Sequence, residues 1–565
     1  MADSRSLSSS DGEKLPVHHN QPQGGQVKDK ATEDHLEHYV DQTTARGGFS
    51  STLAAVQEAH GFKAEAGRLV VDPEEAKIEY GEEVASRLKR NKRGNKILWP
   101  QPSDDPNDPQ NWSTRKKNIQ LIALTMASFT PDFNSGLGIA SLFALAKEFN
   151  TTTTVINNLT SNWSIFLLGW GGICSVPLMK RYGRLPVLWW SQVLGLGFLI
   201  GCAVAPNLST FAAMRCLTAF FSTAPQCVGL WTISDMFPFH LQARKTTLWA
   251  MGFIISPFLS PFLLGYMIEH TSWRNVYWVG VGYTAVVVLV LTFVMEETMY
   301  DRHLSPVPPR HATGVRYRFD TLIGITGARM AKYRPSLWAG IASLFDVLWR
   351  PHALMVYIYV GWIFGCGIGI NVTNAVFIGS PPPLGYGYKP VVEASLYATP
   401  IVAVILGEIA GRVSNDAIAN RLIRRNSGVF LAEMRLWSNY IGMPFFFAGM
   451  ILLGFAYEKK LNLAAVILGW GMAEFGIVLI TVACYNYLGN TFPQQQGETS
   501  ALINLARVLG GFASSDRAGK GEVPWSIANG TERVFGMEAG VGVGLLLVLI
   551  IPLQIFGRRI RNKFQ

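Results

Sequence analysis

Twelve apolar runs divide the chain after residue 118. A helix needs about 20 apolar residues to cross the hydrocarbon core of a bilayer, and nearly every run reaches that length. We therefore predict an all-α membrane protein with twelve transmembrane helices in two six-helix halves. The predicted helices are 119–146, 157–179, 185–204, 209–233, 246–268, 274–295, 352–376, 392–412, 436–456, 462–487, 498–513 and 536–556.

Composition agrees with a chain that lies mostly in a membrane. Charged residues make up 16% of the 565 residues, against about 25% in soluble domains. The net charge of +10 would favour a nucleic-acid partner in a soluble protein, but here the basic residues lie in short loops between apolar runs. We therefore expect the lipid bilayer as a partner and no nucleic acid.

The basic residues alternate between loops, which indicates the orientation. Loops rich in arginine and lysine stay in the cytosol, so both termini are predicted to be cytosolic in a multi-pass protein of the plasma membrane. The central loop is expected to end in an in-plane amphipathic helix around Trp338 and Phe345, and a helix is expected over 72–93. The predicted domains are a largely disordered tail 1–118, a first half 119–296, a central loop 297–351, a second half 352–556 and a tail 557–565.

Residues 211–278 carry the most specific motifs. Arg215 lies inside an apolar run, and the next run contains a doubled Ser-Pro in SPFLSPFLLG. The two runs resemble the R-x-x-x-G and G-P-x-x-G-P-x-x-G-G signatures of drug/proton antiporters of the major facilitator superfamily, with Ala219, Ser256 and Ser260 replacing glycine. Segment 98–118 is similar to the D-P-x-D-P-x-N-W-S entry segment of fungal members.

Two loops resemble the gating loops of that superfamily. MKRYGRLP is similar to G-x-x-x-D-R-x-G-R, but Lys180 replaces the aspartate, so we expect the usual acidic latch to be absent there. Residues 411–436 resemble the corresponding loop of fungal members in the second half. The predicted gating residues are Arg181, Gly183, Arg184, Asp235, Arg244, Asp416, Arg425, Glu433 and Arg435.

No enzymatic motif is found in the sequence. It has no phosphate-binding loop, no G-x-S-x-G turn, and no His or Cys residues at metal-ligand spacing. Its six cysteines all lie in apolar runs. We therefore expect no enzyme, no cofactor and no metal, and a transporter driven by an ion gradient.

Polar residues inside the apolar runs are the candidate functional residues, because a charge in a membrane helix is costly and usually faces a cavity or a partner. Asp132, Arg215 and Glu474 are predicted to couple proton movement. Asn162, Trp231, Asn371, Asn374 and Arg507 are predicted to line the substrate path, although each could instead make a helix-to-helix contact.

The resemblance implies a monomeric alternating-access transporter whose partners are a small molecule and protons. Proton-coupled efflux of a toxic compound or secondary metabolite is the first interpretation. Uptake of an organic cation or polyamine, a non-transporting sensor and a membrane-embedded enzyme are the alternatives.

Two further expectations concern the outer loops. Asn150 is predicted to carry an N-glycan because its N-T-T sequon lies between the first two helices. The eleventh helix is predicted to stop near Ala513, with 514–523 forming a polar loop, because four charges follow at once. A misplaced splice junction is the alternative explanation for that polar stretch.

Overall fold

The computed structural model describes residues 68–69, 72–91, 93–301, 314–382, 384–425, 430–516 and 522–564. The disorder predicted for the first part of the tail therefore lies outside the described residues. Within them the chain is almost entirely helical. Strands β1 (Arg68–Leu69) and β2 (Phe430–Leu431) form a two-residue antiparallel pair.

The predicted helix over 72–93 is in fact two helices, α1 (Pro73–Tyr80) and α2 (Glu82–Arg87). Asp72 caps the first as expected, since its side chain accepts a 2.9 Å bond from the Glu74 amide. The single helix was wrong because Gly81 has a φ of +79°, which interrupts the helix. The entry segment then packs on the first half, where the amide of Phe239 donates to the carbonyl of Trp99.

The first half contains counterparts of the first six predicted helices. They are α3 (Thr114–Ala140) with the short α4 (Leu142–Glu148), α5 (Thr153–Tyr182), α6 (Arg184–Ala203), α7 (Leu208–Ser222) with α8 (Ala224–Met236), α9 (Phe239–Ile268) and α10 (Trp273–Phe293).

The described part of the central loop forms three α-helices, α11 (Gly314–Ile323), α12 (Ile325–Met330) and α13 (Leu337–Trp349). Helix α13 is the predicted amphipathic helix. Its aromatic face (Trp338, Phe345 and Trp349) is exposed, while Leu344 and Val347 are buried. The buried face packs against α5, which places α13 across the end of the first half.

The second half contains counterparts of the other six. They are α14 (Pro351–Gly379), α15 (Pro390–Leu396) with α16 (Ala398–Arg425), α17 (Asn439–Glu458), α18 (Leu463–Thr491), α19 (Gln496–Asp516) with the short α20 (Glu522–Asn529), and α21 (Thr531–Leu545), which continues through a π turn (Leu546–Ile550) into α22 (Ile551–Phe564).

Among the described residues, nine helices are long and apolar enough to cross a membrane by length and composition. The predicted spans outside this set are α3, the broken pair α7 and α8, and α19. These carry Asp132, Arg215 and Arg507, respectively. These three less apolar spans therefore bring charges into the bundle, and the apolar helix α18 adds the buried Glu474.

The eleventh predicted helix is longer than expected. It ends at Asp516 rather than near Ala513, and Glu522 already belongs to α20, so the predicted loop 514–523 is wrong at both ends. Ser514 is buried in the bundle, where its hydroxyl donates to the carbonyl of Gly365 at 2.9 Å. Residues 517–521 lie outside the described residues.

Candidate functional site

A central cavity lies between the two halves. Its volume is about 80 Å³, which holds several water molecules but is well below the roughly 300–1,000 Å³ of typical small-molecule sites. Helices α3, α5 and α9 form one wall, and α14, α18 and α19 form the other. The cavity is therefore nearly closed in this conformation.

Asp132 lies on the first-half wall, one residue after Pro131 in α3. The amide Nε2 of Gln226, from α8, donates a 2.9 Å hydrogen bond to its Oδ2. The carboxylate is also within electrostatic range of Arg507 in the second half. Asp132 thus faces a positive charge that belongs to the opposite half.

Arg507 lies on the second-half wall, in α19. Its guanidinium carbon is 3.9 Å from the centroid of the Phe364 ring and 4.8 Å from that of Phe253. Phe253 belongs to the first half and Phe364 to the second, so cation–π contacts hold this arginine between both halves. Its Nη1 also donates to the Tyr485 hydroxyl at 3.4 Å.

Glu474 and Asn371 complete the polar wall of the second half. Both side chains are buried. Oε1 of Glu474 and Oδ1 of Asn371 have no hydrogen-bond partner among the described residues. Because a buried polar atom without a partner is costly, these acceptors are available to a ligand or water that donates a hydrogen bond.

Arg215 does not line this cavity, although it was predicted to act in coupling with Asp132 and Glu474. Its guanidinium donates to the backbone carbonyls of Asn134 at 2.5 Å and Ser135 at 3.1 Å, and it lies 5.7 Å from the Tyr277 ring centroid. Only 1% of the residue is exposed. Arg215 therefore fixes α3 next to Asp132 and does not itself contact the cavity.

Three residues predicted for the substrate path also lie away from the cavity wall. Asn374 accepts a short hydrogen bond from the Tyr457 hydroxyl. Asn162 lies in a π turn, and its Nδ2 donates to Asn158 at 3.5 Å. Trp231 packs on Gly497, where an added Cβ would lie 2.3 Å from the ring. The periodicity of a helix does not show which of its polar faces points inward, and packing decided these positions.

We call the end of the bundle that carries Arg184, Arg244, Lys245 and Arg561 the basic end. There Arg184 forms an ion pair with Asp235. Gly183 makes the turn between α5 and α6 with a φ of +102°. The Glu297 carboxylate accepts from the amides of Arg184 and Leu185 at 3.2 and 3.0 Å and so caps α6.

The other residues predicted to act in gating are distributed along the same end. Nη1 of Arg181 reaches the Pro335 carbonyl at 3.5 Å. Arg244 and Arg435 line a small cleft between the halves. Glu433 forms a buried 3.0 Å ion pair with Arg561. Arg425 is exposed at the end of α16, and the side chain of Asp416 lies outside the described part of the structure.

Two six-helix halves around a nearly closed cavity, with charged residues on both of its walls, define a polytopic membrane transporter. The chain belongs to the Major Facilitator Superfamily, whose family model matches residues 122–515. It is a member of a family of transporters and not of enzymes.

Comparisons with individual proteins agree with this assignment. The chain is 23% identical over 431 residues to the efflux pump radE of Floropilus chiversii, covering 74% of this chain and 76% of that one. It is 22% identical over 418 residues to the trichosetin biosynthesis cluster MFS transporter of Gibberella fujikuroi, covering 73% and 78%. The structure of the E. coli proton:xylose symporter XylE bound to 6-bromo-6-deoxy-D-glucose covers 80% of this chain and all of its own at a TM-score of 0.56, with 14% identity. The last likeness is one of fold alone.

Proposed function

We propose that this transporter exports a toxic compound or secondary metabolite across the plasma membrane, as a monomer, in exchange for protons that bind at Asp132. The cavity would open to one side at a time as the two halves rock about it. Glu474 and Asn371 would receive the hydrogen-bond donors of the transported molecule.

The observation that carries the proposal is the apposition of Asp132 and Arg507 on opposite walls of the cavity. A charged Asp132 attracts Arg507 and favours the closed cavity. A protonated Asp132 loses that attraction, so the halves separate more easily. Because an acid inside a membrane helix usually serves transport or proton movement, this pair supports coupling between protonation and opening.

The names of two relatives support the direction of transport. One is called an efflux pump and another belongs to a biosynthesis cluster. Export of a fungal metabolite is therefore favoured over uptake.

Flux into and out of proteoliposomes under an imposed pH gradient, with a panel of small organic compounds, tests the proposal. Wild-type protein should accumulate at least one compound against its gradient on the side predicted for export. Asp132→Asn keeps the shape of the side chain but removes the titratable proton. It should lose pH-driven accumulation and keep exchange of substrate between equal pools.

Glu269→Gln is the matched control because it removes an exposed carboxylate beyond the end of α9. It should transport like the wild type. Undiminished pH-driven accumulation by Asp132→Asn would show that the proton binds elsewhere. Accumulation only in the opposite direction would favour uptake.

A further inference from the structure

We infer that Lys180, Ser343 and Glu498 form a charge-reversed latch that holds the basic end closed, with helix α13 as its strap. The inference rests on the proposed alternating access, because a latch has a role only if that end opens. It places a basic residue on the first half and its acidic partner on the second.

The centre of the latch is an ion pair between the two halves. Lys180 lies near the end of α5, and Glu498 lies in the first turn of α19. Their charged groups are in direct contact. The Glu498 side chain is fully buried, and that of Lys180 is 22% exposed. A carboxylate in the first turn of a helix is also favoured by the helix dipole.

Ser343 adds the third member. Nζ of Lys180 donates to its hydroxyl at 2.8 Å, and that hydroxyl donates a short hydrogen bond to Oε1 of Glu498. The serine therefore contacts both charged partners at once. Since it belongs to α13, the central loop takes part in the contact between the halves.

Helix α13 is bound to both halves at further points. Gly340 packs against Pro177 of α5, where an added Cβ would lie 3.0 Å from the proline Cα. On the other side, Nε2 of Gln495 donates to Asp346 of α13 at 3.2 Å. Helix α13 therefore contacts both halves across their junction, while its aromatic face remains exposed.

The latch gives a role to Lys180, which stands where the similar motif has an aspartate. With lysine at 180, the acidic latch was expected to be absent. The structure instead places an acid, Glu498, on α19 of the other half, opposite Lys180. Opening the basic end would separate Lys180 from Glu498, and the loss of their direct contact would oppose that opening.

A single cysteine can report the opening of this end. Ser500 is fully buried, and its hydroxyl donates to the Gln226 carbonyl of the other half at 3.1 Å. We would place Ser500→Cys in a chain whose six native cysteines are replaced, reconstitute it in lipid nanodiscs, and measure its rate of reaction with a polar maleimide. The assay needs neither substrate nor pH gradient, so it remains informative if the chain exports nothing.

Lys180→Glu and Glu498→Lys should each raise the labelling rate at least about fivefold, and the double exchange should restore a rate within about twofold of the parent. Lys116 and Glu296 provide the matched control, since they form a 2.7 Å ion pair within the first half. Reversing either of those charges should leave the rate unchanged.

Milder variants keep the test decisive if a reversed charge prevents folding. Lys180→Met and Glu498→Gln should each raise the rate, and the double variant should react no faster than the faster single one, because both remove the same contact. Ser343→Ala should give a smaller rise than Glu498→Gln. Unchanged labelling in the neutral variants, or additive effects in the double variant, would overturn the latch.

Discussion

The side-chain amide of Gln226 donates to the carboxylate of Asp132 at 2.9 Å and so joins α8 to α3 at the cavity wall. The same nitrogen donates to the Ser128 carbonyl at 3.2 Å. The backbone carbonyl of Gln226 accepts from Ser500 of the second half. Gln226 therefore connects the candidate proton site directly to the interface between the halves.

Gln226→Leu should reduce pH-driven transport about tenfold, because a hydrogen bond to a charged group contributes about 1.5–3 kcal/mol. Gln192→Leu is the control. Gln192 is also buried, and its Nε2 donates to the Ser222 carbonyl at 2.8 Å, but it does not line the cavity. That variant should lower thermal stability and keep most of the transport. Equal losses in proteoliposome flux would mean that Gln226 acts through packing alone.

Arg215 is expected to stabilise the first half rather than to carry protons. Arg215→Ala should lower the melting temperature strongly, because the carbonyls of Asn134 and Ser135 lose a charged donor. Arg215→Lys should recover only part of the stability, since an ammonium cannot reproduce the fork of two donors. Melting followed by intrinsic fluorescence measures both changes. A stable Arg215→Ala protein that lacks only pH-driven transport would show that Arg215 takes part in proton coupling.

Gly138 offers an independent test of the contact between the Arg215 guanidinium and α3. A Cβ there would lie 2.9 Å from Nη2 of Arg215, so Gly138→Ala should displace the guanidinium and destabilise the protein. Gly197→Ala, in α6, is the matched control because nothing lies within 4 Å of its added Cβ. It should be neutral or more stable by up to about 1 kcal/mol, as expected for alanine in a helix.

Three sequons with exposed asparagines lie in segments predicted to be outside the cell. Asn150 was predicted from the sequence, whereas Asn207 in N-L-S and Asn529 in N-G-T were missed, although the motif alone would have found them. We expect glycans at these positions and none at Asn111 in N-W-S, which lies in the entry segment of the tail predicted to be cytosolic. Removal of each asparagine, followed by mass analysis with and without a glycosidase, locates the glycans. A glycan at Asn111 would reverse the predicted orientation.

The transmembrane helices were predictable because bilayer thickness sets a minimum apolar length, which sequence shows directly. Their ends were less predictable. Helix α9 begins at Phe239 rather than 246, and α3 at Thr114 rather than 119, since polar residues beyond the bilayer continue the helices. A hydropathy pattern does not register such extensions.

The cavity was predictable only in part. Asp132, Glu474 and Arg507 were found because a charge inside an apolar run is rare. Gln226 and Glu498 were not predicted. An amide within a helix and an acid at the start of a helix are both common, and the sequence alone does not show which residues they contact. Contacts with residues far away in the sequence, Asp132 for Gln226 and Lys180 for Glu498, gave these two their roles.

The crossing of α14 and α19 provides the last prediction. Gly361 and Gly365 face Gly510 and Ser514, a small-xxx-small pattern on both helices that lets their backbones touch. A Cβ on Gly510 would lie 1.8 Å from the Gly361 carbonyl oxygen, so Gly510→Ala must force the helices apart.

Gly510→Ala should therefore yield little folded protein in size-exclusion profiles of detergent extracts. Gly544→Ala, whose added Cβ meets nothing within 4 Å, should behave like the wild type. Ser514→Ala should lower stability by only about 0.5–1.5 kcal/mol, because it removes a single hydrogen bond from the crossing. The same contact accounts for the extension of α19 beyond Ala513, since Ser514 is bonded inside the bundle. Equal yields of Gly510→Ala and Gly544→Ala would show that the two helices do not cross at this point.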